Sequence, residues 1–281
     1  MSVLPSQVPP VQHSDAPQLV YALGMISYDF GTEARRDAIA QSMGGEGIPS
    51  DLSQFLAHLE RDPYEAAGVT WTLNLDATPI YAIRPAGPYA NIAYERLREF
   101  CNAQLTGEVE QVSVPGILAG SATLLSGQTV PQVIPELRGM ASWATPALVE
   151  AVLGTRPEQE DLRVAYDQRR AGLTNFLQRV YYELRNLGLS SQERAMNFAA
   201  TNLFQVRQAF VQAAAGGMEL DSIAVERSPI CRPESDCWDV KLTFFNPARR
   251  LEQARQVHRL TVDVSDVVPV TVGAVRSWSV Y

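Results

Sequence analysis

The spacing of apolar positions changes along the chain, and the changes divide it into elements. Leu19 to Tyr28 is a nearly continuous apolar run with β-branched members, which predicts a strand that turns at Asp29-Phe30-Gly31. Glu33 to Met43 reads as a helix capped by Thr32, and Ser50 opens a short helix that ends before Pro63. Trp71, Leu73 and Leu75 alternate with Thr72, Asn74 and Asp76, the period of a half-buried strand, and Ile80 to Ile83 returns as its hairpin partner. Tyr89, Ile92, Ala93, Leu97, Phe100 and Cys101 recur at helical spacing, so residues 89–104 form an amphipathic helix with Cys101 on its apolar face. From Glu108 to Trp143, short β-branched segments are divided by glycines and prolines, which predicts a hairpin or meander, with an exposed loop system as the alternative.

The second half begins helical. Thr145-Pro146 reads as an N-cap with proline at the first helical position, and Pro157 to Asp161 places carboxylates in the first turn of another helix. Leu173, Phe176, Leu177, Val180, Tyr181, Leu184 and Leu187 follow the 3.6-residue period, and Gly188 fits the stop. Ser190 with Glu193 forms a capping-box pattern for a helix running to Gly216-Gly217. Strands are expected near 222–227, 238–245, 259–264 and 275–280, with a short helix at 249–256 acting as a crossover. A strand, short helix and strand in series favour parallel pairing, and an antiparallel arrangement is nearly as well supported. The pattern therefore predicts an α+β or α/β fold: a mixed sheet with several packed amphipathic helices in a single large domain over residues 18–281. Residues 1–17, rich in proline and small polar residues, read as a disordered leader or linker.

Composition narrows the function classes. The 281 residues carry a formal net charge of −8, which argues against a general binder of nucleic-acid backbones. No stretch approaches the length of a membrane span, and an odd count of 3 cysteines fits a reducing cytoplasm. Lys241 is the only lysine among 23 basic residues, so Schiff-base and phosphate-loop chemistry would rest on it alone. His58 and His258 are the histidines inside the expected fold; no Gly-x-Ser-x-Gly elbow accompanies them, and both read as surface residues.

Candidate chemistry sits in a few clusters. Cys231-Arg-Pro-Glu-Ser-Asp-Cys237 lies in a loop between two expected strands. Its spacing is not a usual zinc spacing, yet Cys231, Cys237 and His258 could contribute to a zinc site. A redox-sensitive disulfide is a second reading, and two thiols that merely pack a tight loop are the preferred one. Tyr28, Asp29, Glu33, Arg35, Arg36 and Asp37 crowd acids and guanidiniums where a strand meets a helix. Planar arginine forks there could hold a peptide carboxylate, although an internal ion-pair network fixing helix to sheet is favoured. Asn74 and Asp76 share a polar strand face that could line a groove or simply be solvated. Glu193, Asn197 and Thr201 form a helical stripe which, with Phe198 and Phe204 suggesting burial on two sides, reads as a buried hydrogen-bond network.

Longer strings carry a resemblance. Tyr-Asp-Phe-Gly-Thr-Glu-Ala-Arg-Arg-Asp at 28–37, Trp-Thr-Leu-Asn-Leu-Asp at 71–76, Tyr-Tyr-Glu-Leu-Arg-Asn-Leu-Gly at 181–188, Ser-Gln-Glu-Arg-Ala-Met-Asn-Phe-Ala-Ala-Thr-Asn at 191–202 and Cys231 to Val240 all resemble the C-terminal domain of unknown function of cyanobactin maturation proteases. The resemblance covers residues 19–281. It implies a setting in which subtilisin-like proteases cut or macrocyclise ribosomally made peptides; the strings include none of the protease domain, as expected of a stand-alone homologue or an excised domain, so no catalytic triad is carried over to these residues. The implied role is an accessory, non-proteolytic module whose partner is a precursor peptide, a maturation protease or a second copy of itself. A peptide-tailoring enzyme and a structural dimerisation domain are the alternatives. Arg227, in the further matching string Glu226-Arg-Ser-Pro, and Arg232, in the Cys231–Val240 string, lie beside acids and join Tyr28, Asp29, Glu33, Arg35, Arg36, Asn74 and Asp76 as candidate binding residues.

Overall fold

A computed structural model describes residues 17–45, 47–183, 186–249 and 252–281. The expected leader, apart from Pro17, lies outside the described residues, as do Leu184, Arg185 and the side chains of Leu203 and Phe204.

The first half builds a closed barrel. β1 (Leu19–Asp29) is followed by α1 (Glu33–Ser42), α2 (Leu52–Arg61) and a 3-10 turn (Pro63–Gly68) before β2 (Thr70–Leu75) and β3 (Thr78–Ile83). Next come α3 (Ala90–Leu105), β4 (Gln111–Thr123), β5 (Thr129–Pro135) and β6 (Ala141–Trp143). The order β1-β2-β3-β5-β4 closes because β1 also pairs with β4, which leaves β6 as an added edge. This is the strand order of an OB-type barrel, with its helix inserted before the fourth strand. β1 serves two partners in turn: residues 19–24 pair with β4 and residues 25–29 with β2. The switch falls at Gly24, where an added Cβ would meet the Asn74 carbonyl oxygen at 2.4 Å, so only glycine lets the strands approach at this corner. The barrel is filled by Val20, Ala22, Trp71, Leu73, Tyr81, Ile83, Val112, Val114 and Val133, the inward positions of alternating strands. The 108–143 region is thus barrel wall, not an exposed loop system.

The second half is a helical layer on an antiparallel sheet. α4 (Thr145–Leu153), α5 (Glu160–Gln178), a π-helical turn (Arg179–Glu183), α6 (Ser191–Thr201) and α7 (Leu203–Ala215) precede β7 (Glu219–Arg227), β8 (Cys237–Phe245), β9 (Arg255–Asp263), β10 (Val270–Thr271) and β11 (Arg276–Val280). The fold is α+β, and among the described residues β3 with β5 is the one parallel pair. The expected parallel crossover is corrected: β8 and β9 are antiparallel, joined through a 3-10 turn at Pro247–Arg249. The chain between Phe245 and Arg255 is shorter than the dozen or so residues that a crossover needs. The expected long helix breaks at Asn202, where the Thr201 hydroxyl and the Asn202 side-chain amide both donate to the Phe198 carbonyl, at 2.8 and 3.0 Å, competing with helix continuation. Thr145 is the first residue of α4 and does not cap it; Ala144 occupies that position. No helix among the described residues is long and apolar enough to cross a membrane.

The Ser190/Glu193 capping box forms as its spacing predicts, and the stripe behind it is the expected network. The Asn197 side-chain amide donates to the Tyr21 carbonyl (2.9 Å), and the Thr201 hydroxyl meets the Tyr21 hydroxyl (2.9 Å). The Tyr21 amide in turn donates to the Gly188 carbonyl at 2.9 Å. One residue of β1 thereby joins barrel and helical layer, and Tyr21 and Leu23 belong to the core formed by α4 to α7 with β8 and β9.

Both histidines expected at the surface are buried. His258 is 2% exposed on the helix-facing side of β9, edge-on to Phe244 at 5.5 Å, and its Nε2 has no hydrogen-bond partner. Burial pushes its pKa below the ordinary 6.5. The imidazole is therefore neutral in the fold, while the unfolded chain takes up a proton below about 6.5. Stability should be flat above that value and fall as the pH drops through it, by at most about 1.4 kcal/mol per pH unit. Thermal midpoints between pH 7.5 and 5.5 test this: His258→Leu is expected to flatten the profile, and an unchanged profile would assign the effect to other groups.

Candidate functional site

The residues singled out in the sequence do not converge on one site. Tyr28 stacks on Phe55 with ring centroids 4.3 Å apart and donates its hydroxyl to the Pro49 carbonyl at 2.7 Å; burial raises its pKa well above the usual phenol range. Asp29 accepts from the Gly31 and Leu125 amides, at 2.6 and 2.8 Å, and so pins the end of β1 to the β4–β5 turn. Arg36 pairs with both Glu33 and Asp37 on the surface of α1, and Arg35 is exposed. The expected internal network is thus a strut made by Tyr28 and Asp29 beside a solvated ion-pair cluster.

Asn74 lies where the β2–β3 register shifts, with a buried Oδ1 that lacks a partner, and Asp76 occupies the hairpin turn with φ +54°. Arg227 ends β7 and Arg232 lies in the loop beyond it, both exposed. Cys231 and Cys237 form a disulfide across that loop with Cα atoms 5.5 Å apart, which replaces the preferred reading of two free thiols. His258 does not join them: Cys237 pairs with Asp263, whereas His258 pairs with Leu242, five residues away along both strands. Among the described residues, no group of three or more His, Cys, Asp or Glu side chains gathers to hold a metal. Lys241, the sole lysine, pairs with Glu226 and lies 5.8 Å from the Trp278 ring centroid. The β7 edge, which could have added a peptide strand, is already in part capped by side chains, since Arg179 donates to the Asp221 carbonyl and Gln192 to the Val225 carbonyl.

Two arrangements were not foreseen. The Ser42 hydroxyl lies 3.2 Å from His58 Nε2 and donates to Glu65 at 3.1 Å, with Asp62 on the other side of the ring. The residue types match a hydrolytic triad, but the geometry does not. His58 Nδ1 is 3.8 Å from Asp62, beyond hydrogen-bond length. Ser42 closes α1, at the end of a helix whose dipole disfavours a developing anion. The Met43, Gly44 and Gly45 amides already donate to helix carbonyls, so they offer no oxyanion hole. The cluster is a polar clasp that binds α1, α2 and the 3-10 turn together.

The second arrangement is a groove of about 560 Å³ between that 3-10 turn and α3. Leu59, Pro63, Ala66 and Ala67 line one side, and Ile92, Tyr94, Glu95 and Arg98 the other. Tyr64 stands at the rim with 86% of its surface exposed, and Ile92 is also exposed. Trp71, buried in the barrel, donates from its indole nitrogen to the Ala66 carbonyl at 2.8 Å and so holds the first wall in place. Burial raises the Tyr94 pKa, in keeping with its place against the second wall. Apolar walls with one acid and one guanidinium at the rim suit an extended peptide segment.

Comparison with known proteins agrees with the strings quoted above. Residues 19–123 match the family described as PatG Domain, and residues 164–278 match PatG C-terminal. No curated protein matches the chain. A solved structure described as "PatG Domain of Unknown Function" superposes with a TM-score of 0.83 at 46% identity, covering 94% of this chain and 100% of that one. At this identity and coverage the likeness extends through barrel and helical layer alike, and the chain belongs to the PatG domain family.

Proposed function

We propose that this chain is a non-proteolytic accessory module of cyanobactin-type peptide maturation that binds a precursor peptide in the groove between the 3-10 turn and α3. The groove itself carries the reading. It is largely apolar and rimmed by an exposed tyrosine, and one wall is held by the hydrogen bond from Trp71 to the Ala66 carbonyl, which limits the reorganisation needed to accept a partner. The family context supplies the kind of partner; an OB-type barrel alone would not assign a ligand.

Titration of a fluorescein-labelled precursor peptide from the same gene cluster into the full chain tests the proposal. Saturable binding is expected, with affinity reduced at least tenfold in Tyr64→Ser/Ile92→Ser, since exposed anchors of this kind carry about 1 kcal/mol or more each. The peptide's intact mass should not change on incubation. A mass change would favour the tailoring-enzyme reading, and equal binding by the double variant would remove the groove from consideration.

A further inference from the structure

A second concavity lies away from the groove, at the start of the C-terminal sheet. It encloses about 300 Å³ between α5, α7 and the first residues of β7. Its floor is apolar: Phe210 and Phe244 meet edge-to-face with centroids 5.2 Å apart, and Met218 and Leu220 complete it. Its α5 wall carries Arg169, Gly172 and Asn175. Arg169 is half-buried, and its Nε has no hydrogen-bond partner although no solvent reaches that atom. Because Nε is sealed, an acceptor entering the cavity would be met by the terminal nitrogens of the guanidinium, which lines this wall.

Three features define what would fit. The guanidinium presents a planar fork suited to a carboxylate. The phenyl floor calls for an apolar or aromatic side chain. The volume is at the lower limit of small-ligand sites, which leaves room for a single residue rather than an extended chain. Gly172 keeps the space open, since an added Cβ would already contact the Phe210 ring at 3.4 Å. Glu219, exposed at the mouth, would disfavour a multiply charged anion such as phosphate.

We infer that this cavity binds an apolar residue bearing a free carboxylate, with Arg169 holding the carboxylate and Phe210 and Phe244 receiving the side chain. The carboxylate could belong to a peptide C-terminus or to a free N-acylated amino acid; the chemistry is the same for both. The site is separate from the groove and does not depend on it.

Isothermal titration of the full chain with Ac-Ala-Ala-Phe as the free acid, the same peptide as its C-terminal amide, and N-acetylphenylalanine tests the inference. The acid should bind saturably and at least tenfold tighter than the amide. Arg169→Gln should abolish that preference, and Arg169→Lys, which keeps charge without the fork, should restore part of it. Gly172→Leu should remove binding by filling the cavity. Because that variant alters a packed helix, Gly172→Ala, a substitution favourable to helix propensity, serves as the milder arm, and thermal midpoints establish that each variant is folded. Tyr64→Ser/Ile92→Ser should leave this binding unchanged. Tighter binding of the tripeptide than of N-acetylphenylalanine would support a peptide terminus, and equal binding a free acid. No saturable binding of the acid, equal binding of acid and amide, or an unaffected Arg169→Gln would overturn the inference.

Discussion

Gly188→Ala is expected to destabilise the protein by about 3 kcal/mol or more, because two costs fall on one methyl group. Gly188 holds φ +69°, a conformation that residues with a side chain rarely adopt, and the new Cβ would lie 2.1 Å from the Tyr21 carbonyl oxygen. That oxygen belongs to backbone inside a barrel strand and cannot rotate away as a flexible side chain could. Relief would require β1 to move, stretching the bond from the Tyr21 amide to the Gly188 carbonyl, the bond from the Asn197 amide to the Tyr21 carbonyl and the bond from the Tyr81 hydroxyl to the Leu187 carbonyl, now 2.8 Å. Urea denaturation followed by circular dichroism would measure the loss. A midpoint equal to wild type would mean that the junction is looser than these contacts imply.

The second large effect centres on Trp71. Trp71→Ala should cost about 3–5 kcal/mol, since the indole is fully buried among barrel residues too constrained to close the space. Trp71→Phe separates packing from hydrogen bonding. It keeps most of the apolar volume but leaves the Ala66 carbonyl without its 2.8 Å indole donor, a loss of about 1–2 kcal/mol. Because Ala66 is part of the groove wall, this variant should also bind the labelled precursor peptide more weakly, at temperatures where it is fully folded. Unchanged affinity alongside lowered stability would show that the wall holds its position without the indole.

Local features were readable where the signal lay in the spacing of neighbouring residues. The Ser190/Glu193 cap, the hairpin after Trp71 and the buried stripe of Asn197 and Thr201 each rest on spacing within one element, and each stands in the structure. What could not be read was the identity of distant partners. The stripe on α6 implied burial but gave no sign that Tyr21 would receive it, and β1 showed no periodic hint that it would serve both β2 and β4. The groove lies between a 3-10 turn and one face of α3, elements whose sequences are unremarkable until they are brought together. Asp62, four residues after His58, and Glu65 were the visible trace of the polar clasp, but Ser42 lies on another helix. The crossover failed for a different reason: apolar pattern identifies strands, whereas the direction of pairing depends on connection length, which the expected helix at 249–256 obscured.

The place of Tyr21 has a consequence for the newly made chain. Its carbonyl is among the first groups of the fold to leave the ribosome, yet the Asn197 amide that completes its bonding lies 176 residues later. At ordinary translation speeds of about 5–20 residues per second, β1 waits on the order of 10–35 s for that partner. During that interval the barrel can close through β4, but the flank of β1 that receives α6 stays uncovered. A stalled or truncated product ending before α6 would therefore expose the surface most prone to capture by chaperones or by other nascent chains.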